Sequence, residues 1–288
     1  MGTAEVIPGV SGGTMALIAG VYEALVSALS SLVSFGLAVV RGRFERAAVH
    51  AREVPWRLLG PLLLGMGAAI VLGAYIIPGL LAAYPAPMRG LFFGLVAASL
   101  FIPALRIRRL TGGRVALGAV CAAGAFLLTG LPVLEVGTPA LLRVFLSAAV
   151  AICAMILPGV SGAFLLEAMG VYEPTLAALK GMVAMNLTQV PYVLTFCAGA
   201  ATGLGAFAKL LDWLLSHRHD ATMAALVGLI AGALRALWPY GGAERTLRGP
   251  EAGEPVLAVI GLALVGFVLV GGLVWWERHA ANAPSSVG

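Results

Sequence analysis

A segment that could bind an anion occurs twice in this chain, 150 positions apart. Pro8-Gly-Val-Ser-Gly12 returns as Pro158-Gly-Val-Ser-Gly162, and an ungapped alignment to Gly-Val-Tyr-Glu in both copies gives nine identities in sixteen positions. Proline and glycine break a helix, and serine is a preferred N-cap of the helix that follows. Unpaired N–H groups at such a helix start, together with the serine hydroxyl, can donate hydrogen bonds to an anion.

The residues expected to act in the two copies fall into two groups. Those that break the chain are predicted to be hinges: Pro8, Gly9, Pro158 and Gly159. Those that start the next helix are predicted to bind the anion: Ser11, Gly12, Gly13, Thr14, Ser161 and Gly162. Proline kinks and small residues can also serve only to pack membrane helices closely. A pair of copies in opposed halves of the chain favours binding.

The composition indicates an all-α polytopic membrane protein that forms one membrane domain over residues 1–288. Hydrophobic residues make up 60% of the chain and charged residues 11%, against about 45–50% and 25% in soluble domains. Apolar runs such as residues 58–81 can cross a hydrocarbon core of about 30 Å as helices. The short alternating segments that a β-barrel requires are absent from the sequence.

Apolar runs and breaking residues predict the elements around the two copies. An apolar arm, residues 141–157, precedes the second copy, whereas seven residues precede the first, so we expect the first arm to be truncated. Pro174 should end the helix that starts at Gly162 near Tyr172, which makes it about 16 Å long, half a bilayer, as in a re-entrant hairpin. The other helices are predicted at about residues 15–29, 56–82, 88–105, 115–131, 189–213, 221–238 and 255–276.

The duplication extends beyond the motif. Residues 67–74 match residues 199–206, and residues 94–97 match residues 228–231. The predicted fold therefore has two repeats, at about 1–133 and 139–276, each with one re-entrant hairpin and three transmembrane helices. Because three crossings reverse the direction of the chain, the repeats should have inverted topology. Residues 280–288 are expected to be a disordered tail.

The positive charge of the chain lies mainly in short loops between apolar segments. The net charge is +5, but this distribution follows the positive-inside rule and does not indicate nucleic-acid binding. Inversion would bring both arginine-rich loops, the His217-Arg218-His219 turn and Arg278 to the cytoplasmic face of the cytoplasmic (inner) membrane. No metal or cofactor is expected, because the cysteines lie inside apolar segments without paired spacing or a nearby histidine, and the histidines lie in or beside loops.

Charged and aromatic residues near the motif have open roles. Tyr22, Glu23, Tyr172 and Glu173 are expected at the far ends of the half-helices, near opposite membrane surfaces. Such tyrosines are common at interfaces, and the glutamates could carry protons or gate a pathway, or simply reach the headgroups. Arg235 could balance a phosphate charge or extend to the membrane surface.

The double motif, with Gly-Val-Tyr-Glu at residues 20–23 and 170–173, resembles the polyprenyl-phosphate (undecaprenyl-phosphate) transporters of bacteria and archaea, formerly a domain of unknown function. The resemblance implies a transporter without enzymatic activity, which flips the lipid carrier across the membrane so that it is recycled for cell-envelope synthesis. A charged phosphate cannot cross hydrocarbon unaided. The phosphate headgroup would be held by the two opposed half-helix starts, while the polyprenyl tail stays among membrane lipids.

Two other functions remain compatible with the sequence. A membrane polyprenyl-diphosphate phosphatase would also hold phosphates, but it needs a nucleophile and proton carriers. No histidine lies within an apolar segment, and no carboxylate pair on the motif helices is repeated in both halves. A small-anion transporter or channel could use the same helix starts for inorganic anions.

Overall fold

The computed structural model describes residues 12–131, 137–158, 160–241 and 246–281, which are helical apart from turns and one isolated β-bridge between Gly241 and Leu247. In the first half the helices are α1 (Gly12–Ile18), α2 (Tyr22–Val40), α3 (Phe44–Glu53), α4 (Trp56–Ala83), α5 (Pro85–Ser99), α6 (Phe101–Arg106) and α7 (Gly112–Leu128). In the second half they are α8 (Leu141–Ile156), α9 (Gly162–Ala168), α10 (Tyr172–Val183), α11 (Val190–His217), α12 (His219–Ala233) and α13 (Val256–Ala281). Short 3₁₀ turns, Leu187–Gln189 and Leu234–Leu237, adjoin α11 and α12.

Among the described residues, five helical segments are long and apolar enough to cross a membrane. They are Tyr22–Val39, Pro85–Arg106, Leu187–His217, His219–Leu237 and Val256–Trp276. Gly112–Leu128 and Leu141–Ile156 are shorter apolar helices. Large side chains on these elements remain exposed, for example Leu257, Val268 and Leu142, as expected where lipid is the solvent. The chain is a multi-pass membrane protein.

Helices α5 and α13 pack in parallel through two glycines. A Cβ at Gly90 would lie 2.7 Å from the Val259 carbonyl oxygen, and one at Gly94 would collide with the Ala263 carbonyl. The contacts advance by four residues on both helices in the same direction, so the helices run the same way. Small residues at this spacing let two backbones approach closely.

Helices α7 and α12 form a second parallel pair of the same kind. A Cβ at Gly228 would collide with the Gly118 carbonyl, and one at Gly232 with the Ala122 carbonyl. Sequence similarity relates α5 to α12, through residues 94–97 and 228–231, while α7 and α13 each follow as the last helix of their half. Each pair therefore joins one of the two related helices, α5 or α12, to the last helix of the other half, α13 or α7.

The apolar arm of the second half packs against α11. A Cβ at Gly199 would collide with the Phe145 carbonyl, and one at Gly203 with the Ala149 carbonyl, so α8 and α11 are also parallel. The predicted arm 141–157 thus corresponds to α8.

Two predictions for the segment after the first copy of the motif were wrong. The predicted helix 15–29 is interrupted between α1 and α2, and α2 continues to Val40 through the serine-rich stretch. Ser34 donates its hydroxyl to the Ser30 carbonyl at 3.0 Å, so it bonds within the helix and does not break it. The first arginine-rich segment, residues 41–57, is expected to be a loop but contains α3, whose Ala47 is buried while Phe44 is exposed.

Most remaining helix boundaries follow the apolar runs. The predicted helix 88–105 is divided between α5 and α6 at Leu100, and residues 221–238 form α12 followed by a 3₁₀ turn. The last helix, α13, ends at Ala281. Residues 282–288 of the predicted tail lie outside the described residues.

Candidate functional site

The second copy of the motif links two helices that fold back on each other. Gly162, the first residue of α9, lies so close to α8 that a Cβ would collide with Met155 and lie 2.6 Å from the Ala151 carbonyl oxygen. At the other end of the hairpin, Arg143 Nε donates to the Met169 carbonyl at 3.0 Å. The start of α9 therefore lies near the end of α8, and the hairpin closes where α8 begins.

Ser161 is the N-cap of α9, as the sequence predicts. Its backbone is extended, and its hydroxyl oxygen accepts a hydrogen bond from the Phe164 N–H at 3.4 Å. This bond uses the oxygen as an acceptor and leaves the hydroxyl proton able to donate. Pro158 lies in the turn after α8, whereas Gly159 falls outside the described residues.

The structure brings the two copies of the motif into contact. Gly13, in the first turn of α1, lies against the break in the second copy, where a Cβ would be 2.7 Å from the Ile156 carbonyl oxygen and 3.2 Å from the Pro158 nitrogen. Ala16, Leu17 and Ile156 are buried in one apolar cluster beside this contact. The starts of α1 and α9, both predicted from the repeat, thus lie against the last turns of α8 and the break that follows it.

The described residues of the first copy are buried. Gly12, Gly13 and Thr14 begin α1, and none is exposed. Pro8, Gly9 and Ser11 lie outside the described residues, so their predicted roles as hinge and N-cap stay predictions.

Glycine ends both half-helices. Gly20 has φ 69° and Gly170 has φ 68°, in the left-handed region that favours glycine. In each copy the amide of the following valine donates back into the preceding helix, Val21 to Ala16 at 3.0 Å and Val171 to Leu166 at 2.8 Å. These are the bonds of a Schellman cap.

The predicted role of Pro174 was therefore wrong. The helix expected from Gly162 to Tyr172 ends at Ala168, and Pro174 lies in the first turn of the next helix, α10. A proline is tolerated there because first-turn N–H groups have no partner within the helix. Gly170 ends α9, which is 7 residues long instead of the expected 11.

Tyr22, Glu23, Tyr172 and Glu173 begin helices instead of ending them, which corrects a second prediction. Tyr22 is the first residue of α2 and Tyr172 the first of α10, so each glutamate lies in a first turn. A negative charge at that position is stabilised by the positive end of the helix dipole. The repeated Gly-Val-Tyr-Glu thus has a structural reason, namely a helix stop followed by a helix start.

Glu23 belongs to an ion-pair cluster that sequence spacing did not indicate. Its carboxylate lies 2.8 Å from Arg106 Nη1, at the end of α6, and 3.5 Å from His219 Nε2, at the start of α12. Next to His219, Asp220 pairs with Arg114 at 2.9 Å. These residues are too far apart in the sequence for any local pattern to reveal their contacts. The only sequence feature that pointed to them was the concentration of charge at helix ends.

The corresponding residues of the second copy have different surroundings. Glu173 is exposed and Tyr172 is half-buried. Thr175, one turn into α10, shares a hydrogen bond of 2.9 Å with the Tyr192 hydroxyl of α11. By contrast, Tyr22 is 1% exposed, and its hydroxyl has no hydrogen-bond partner among the described residues.

Arg235 contacts the end of α7. Its guanidinium lies 4.5 Å from the centre of the Phe126 ring and donates to the Phe126 carbonyl at 3.1 Å. Gly130 packs against the same guanidinium. A cation that binds the last carbonyls of a helix is favoured by the helix dipole. These contacts are structural, and none of them joins Arg235 to the motif.

Within the described ranges, no group of three or more histidine, cysteine, aspartate or glutamate side chains could hold a metal ion. Cys121 and Cys153 are partly buried in α7 and α8, and Cys197 is exposed on α11.

Comparison with known proteins bears on this geometry. A model of the undecaprenyl phosphate translocase-like family matches residues 1–253. The chain belongs to this family. Among its similar relatives, the polyprenyl-phosphate transporter of Vibrio cholerae is 35% identical over 243 residues, which cover 83% of this chain and 75% of the relative. The polyprenyl-phosphate transporter of Staphylococcus aureus is 28% identical over 106 residues, 37% of this chain and 38% of the relative. No solved structure matches the chain.

Proposed function

We propose that this translocase-like protein flips polyprenyl phosphate, of which undecaprenyl phosphate is an example, across the cytoplasmic membrane, and that the phosphate headgroup binds between the two copies of the motif. Family membership and the names of the relatives support the substrate class. The observation that carries the proposal is the contact between Gly13 and the break at Ile156 and Pro158. Two helix starts that both lie against α8 near its end, in a buried, apolar part of the fold, can surround one anion.

The ligand groups in this proposal are backbone N–H groups and hydroxyls. Ser161 can donate its hydroxyl proton while its oxygen caps α9, and Gly162 contributes its backbone N–H at the helix start. From the first copy, Ser11, Gly12, Gly13 and Thr14 act in the same way. Such groups stabilise a phosphate without a positively charged side chain, which allows the headgroup to leave as well as to bind.

Inverted repeats are part of the proposal, and the direction of helix packing supports them. If the two halves had the same orientation, α5 would run opposite to α13, since one is the second and the other the third spanning helix of its half. The glycine contacts have α5 parallel to α13 and α7 parallel to α12. Parallel packing in both pairs is the result expected from inversion, and inverted repeats around a central site are typical of transporters.

The hairpin formed by α8 and α9 is re-entrant in this account. The bond from Arg143 to Met169 joins its two outer ends, so the chain enters and leaves on one side. The polyprenyl tail remains in lipid while the headgroup crosses. Returning the carrier to the cytoplasmic leaflet is the recycling step that cell-envelope synthesis requires.

Two substitutions of Ser161 test the proposed headgroup site while keeping the helix start. Aspartate and asparagine are N-caps as good as serine, so Ser161→Asp and Ser161→Asn should both preserve α9. Only aspartate adds a negative charge where the phosphate would bind. In liposomes, we expect Ser161→Asp to slow polyprenyl-phosphate translocation by at least about tenfold, because like charges repel at close range, whereas Ser161→Asn retains transport.

Thermal unfolding in detergent provides the folding control for these variants. Ser11→Ala combined with Ser161→Ala should also impair translocation without unfolding the protein. Wild-type rates for Ser161→Asp, in a protein with an unchanged melting temperature, would refute the assignment of the headgroup to this site.

A further inference from the structure

A basic cleft lies apart from the motif, where the loop between α6 and α7 meets the turn between α11 and α12. Its volume is about 500 Å³, and its charged lining consists of Arg108, Arg114, Arg218, His217, His219 and Asp220. This volume is within the range of about 300–1,000 Å³ that is typical of ligand pockets.

Asp220 gives the basic cleft its shape. Its two carboxylate oxygens accept hydrogen bonds from the backbone N–H groups of Arg108 and Arg109, each at 3.2 Å. Arg114 Nη1 lies 2.9 Å from the same carboxylate and also donates to the Arg109 carbonyl. These contacts fix the α6–α7 loop on the start of α12, which places the arginines of the loop beside the turn between α11 and α12.

The basic cleft carries more positive than negative charge. Three arginines face one aspartate, which gives a net charge of +2 with neutral histidines (+3 − 1). Asp220 is already engaged by the loop, and among the described residues the guanidinium groups of Arg108 and Arg218 form no ion pair. Guanidinium groups bind phosphate oxygens in a two-pronged geometry, and a phosphate monoester carries about −1.5 to −2 charges at neutral pH.

We propose that the basic cleft binds a phosphate monoester, which comes either from the lipid headgroup at this face of the membrane or from free phosphate in solvent. In this site Arg108 and Arg218 make the main contacts with the phosphate, and Arg114 makes a further contact from inside the cleft. His219 lies both in the cleft and 3.5 Å from Glu23, so an occupied cleft adjoins the helix that follows the first copy of the motif. This second site is separate from the one between the motifs and does not require that transport occurs.

Calorimetric titration of detergent-solubilised protein with farnesyl phosphate, a short polyprenyl monophosphate, tests this site without any membrane to cross. Arg108→Gln combined with Arg218→Gln should weaken binding by at least about tenfold, the effect of losing one or two charge-assisted hydrogen bonds. Arg41→Gln combined with Arg46→Gln removes two exposed arginines elsewhere and should leave binding unchanged. Wild-type affinity in the cleft variant, or equal affinity for uncharged farnesol, would overturn the proposal.

Trp213 offers a local signal that locates the binding. Its ring stacks on His217 with 5.2 Å between ring centres, so a ligand in the basic cleft should change its fluorescence, and Trp213→Phe should abolish that change. A response to inorganic phosphate as strong as that to farnesyl phosphate identifies free phosphate as the ligand, and a response to farnesyl phosphate alone identifies the lipid headgroup. Failure of both to change Trp213 fluorescence contradicts the site, whatever the result of the Ser161 experiment.

Discussion

Residues 20–23 and 170–173 have identical sequences and nearly identical backbones, but they lie in different surroundings. Both begin with a left-handed glycine, and both place tyrosine and glutamate at the start of a helix. In the first junction, Tyr22 is buried and Glu23 is paired with Arg106. In the second, Tyr172 is half-buried and Glu173 is exposed. Local sequence therefore determines the backbone of these junctions, while distant parts of the chain determine what their side chains do.

The helices before these junctions differ in one informative position. Gly13 in the first copy aligns with Ala163 in the second. The glycine lies against the break of the second copy, where there is no space for a methyl group. If the two copies form one binding site, this contact is where the asymmetry between them should matter most.

The largest expected effect is that of Gly13→Ala. The added Cβ would lie 2.7 Å from the Ile156 carbonyl oxygen, so the two copies must separate or α1 must shift. Overpacking of this kind costs about 1–3 kcal/mol, and we expect a lower melting temperature together with at least about tenfold slower translocation, because misplacing a binding group by about 1 Å can cost about a hundredfold.

Gly36→Ala is the matched control for that substitution. Gly36 lies within α2, and a Cβ there would meet nothing within 4 Å. Since alanine is a better helix former than glycine by about 1 kcal/mol, this variant should be as stable as the wild type or more stable. Equal transport by Gly13→Ala and Gly36→Ala would mean that the contact between the copies has no role.

A second comparison concerns the two tyrosines. The Tyr22 hydroxyl is buried without a hydrogen-bond partner among the described residues, and an unsatisfied buried polar group costs about 1–3 kcal/mol. Tyr22→Phe should therefore raise the melting temperature, whereas Tyr172→Phe should change it little. A lower melting temperature for Tyr22→Phe would reveal that the hydroxyl has a partner and would remove this difference between the junctions.

Much of the fold follows from the sequence because apolar length determines where helices can lie in a membrane. The predicted helix 56–82 corresponds to α4 and the predicted arm 141–157 to α8. Serine and proline misled the prediction, because Ser34 bonds within α2 and Pro174 fits the first turn of α10. Their effect depends on their position within the helix, which residue type alone does not reveal.

The candidate site could be predicted only in part. The internal repeat identified Ser161 as a cap and indicated which segments should meet. The contacts of Glu23 with Arg106 and of Asp220 with the Arg108 backbone join residues 83 and 112 positions apart, so they depend on which helix ends become neighbours. Helix packing decides that, and a single sequence contains no direct signal for it.

A third comparison uses the two glutamates. The pair between Glu23 and Arg106 is partly exposed, with 43% and 31% of the side-chain surfaces accessible, and such pairs contribute up to about 1 kcal/mol. Glu23→Gln should lower the melting temperature slightly, and this loss should shrink in high salt. Glu173→Gln should have no effect on stability. A larger loss of melting temperature in Glu173→Gln than in Glu23→Gln would contradict the assignment of the ion pair to the first junction.

The smallest expected effect lies in the loop between α12 and α13. A hydrogen bond from Arg248 to Glu254, 2.6 Å long, holds the pKa of Glu254 below its usual value. Because the folded pKa is lower than the unfolded one, this contact stabilises the protein above a pH of about 4.5 and is lost as the pH falls through the lowered pKa. Melting curves of wild type and Glu254→Gln should therefore converge as the pH is lowered. A difference in melting temperature between the two proteins that stays constant as the pH is lowered would show that the Glu254 pKa does not affect stability.

The most direct test of the central claim is translocation by the wild-type protein in liposomes, with undecaprenyl phosphate and inorganic phosphate compared in the same preparation. If the two copies of the motif form a headgroup site that opens to lipid, the protein should move undecaprenyl phosphate between leaflets and leave the permeability to inorganic phosphate unchanged. Movement of inorganic phosphate without movement of the lipid would contradict the account and identify the protein as an anion transporter.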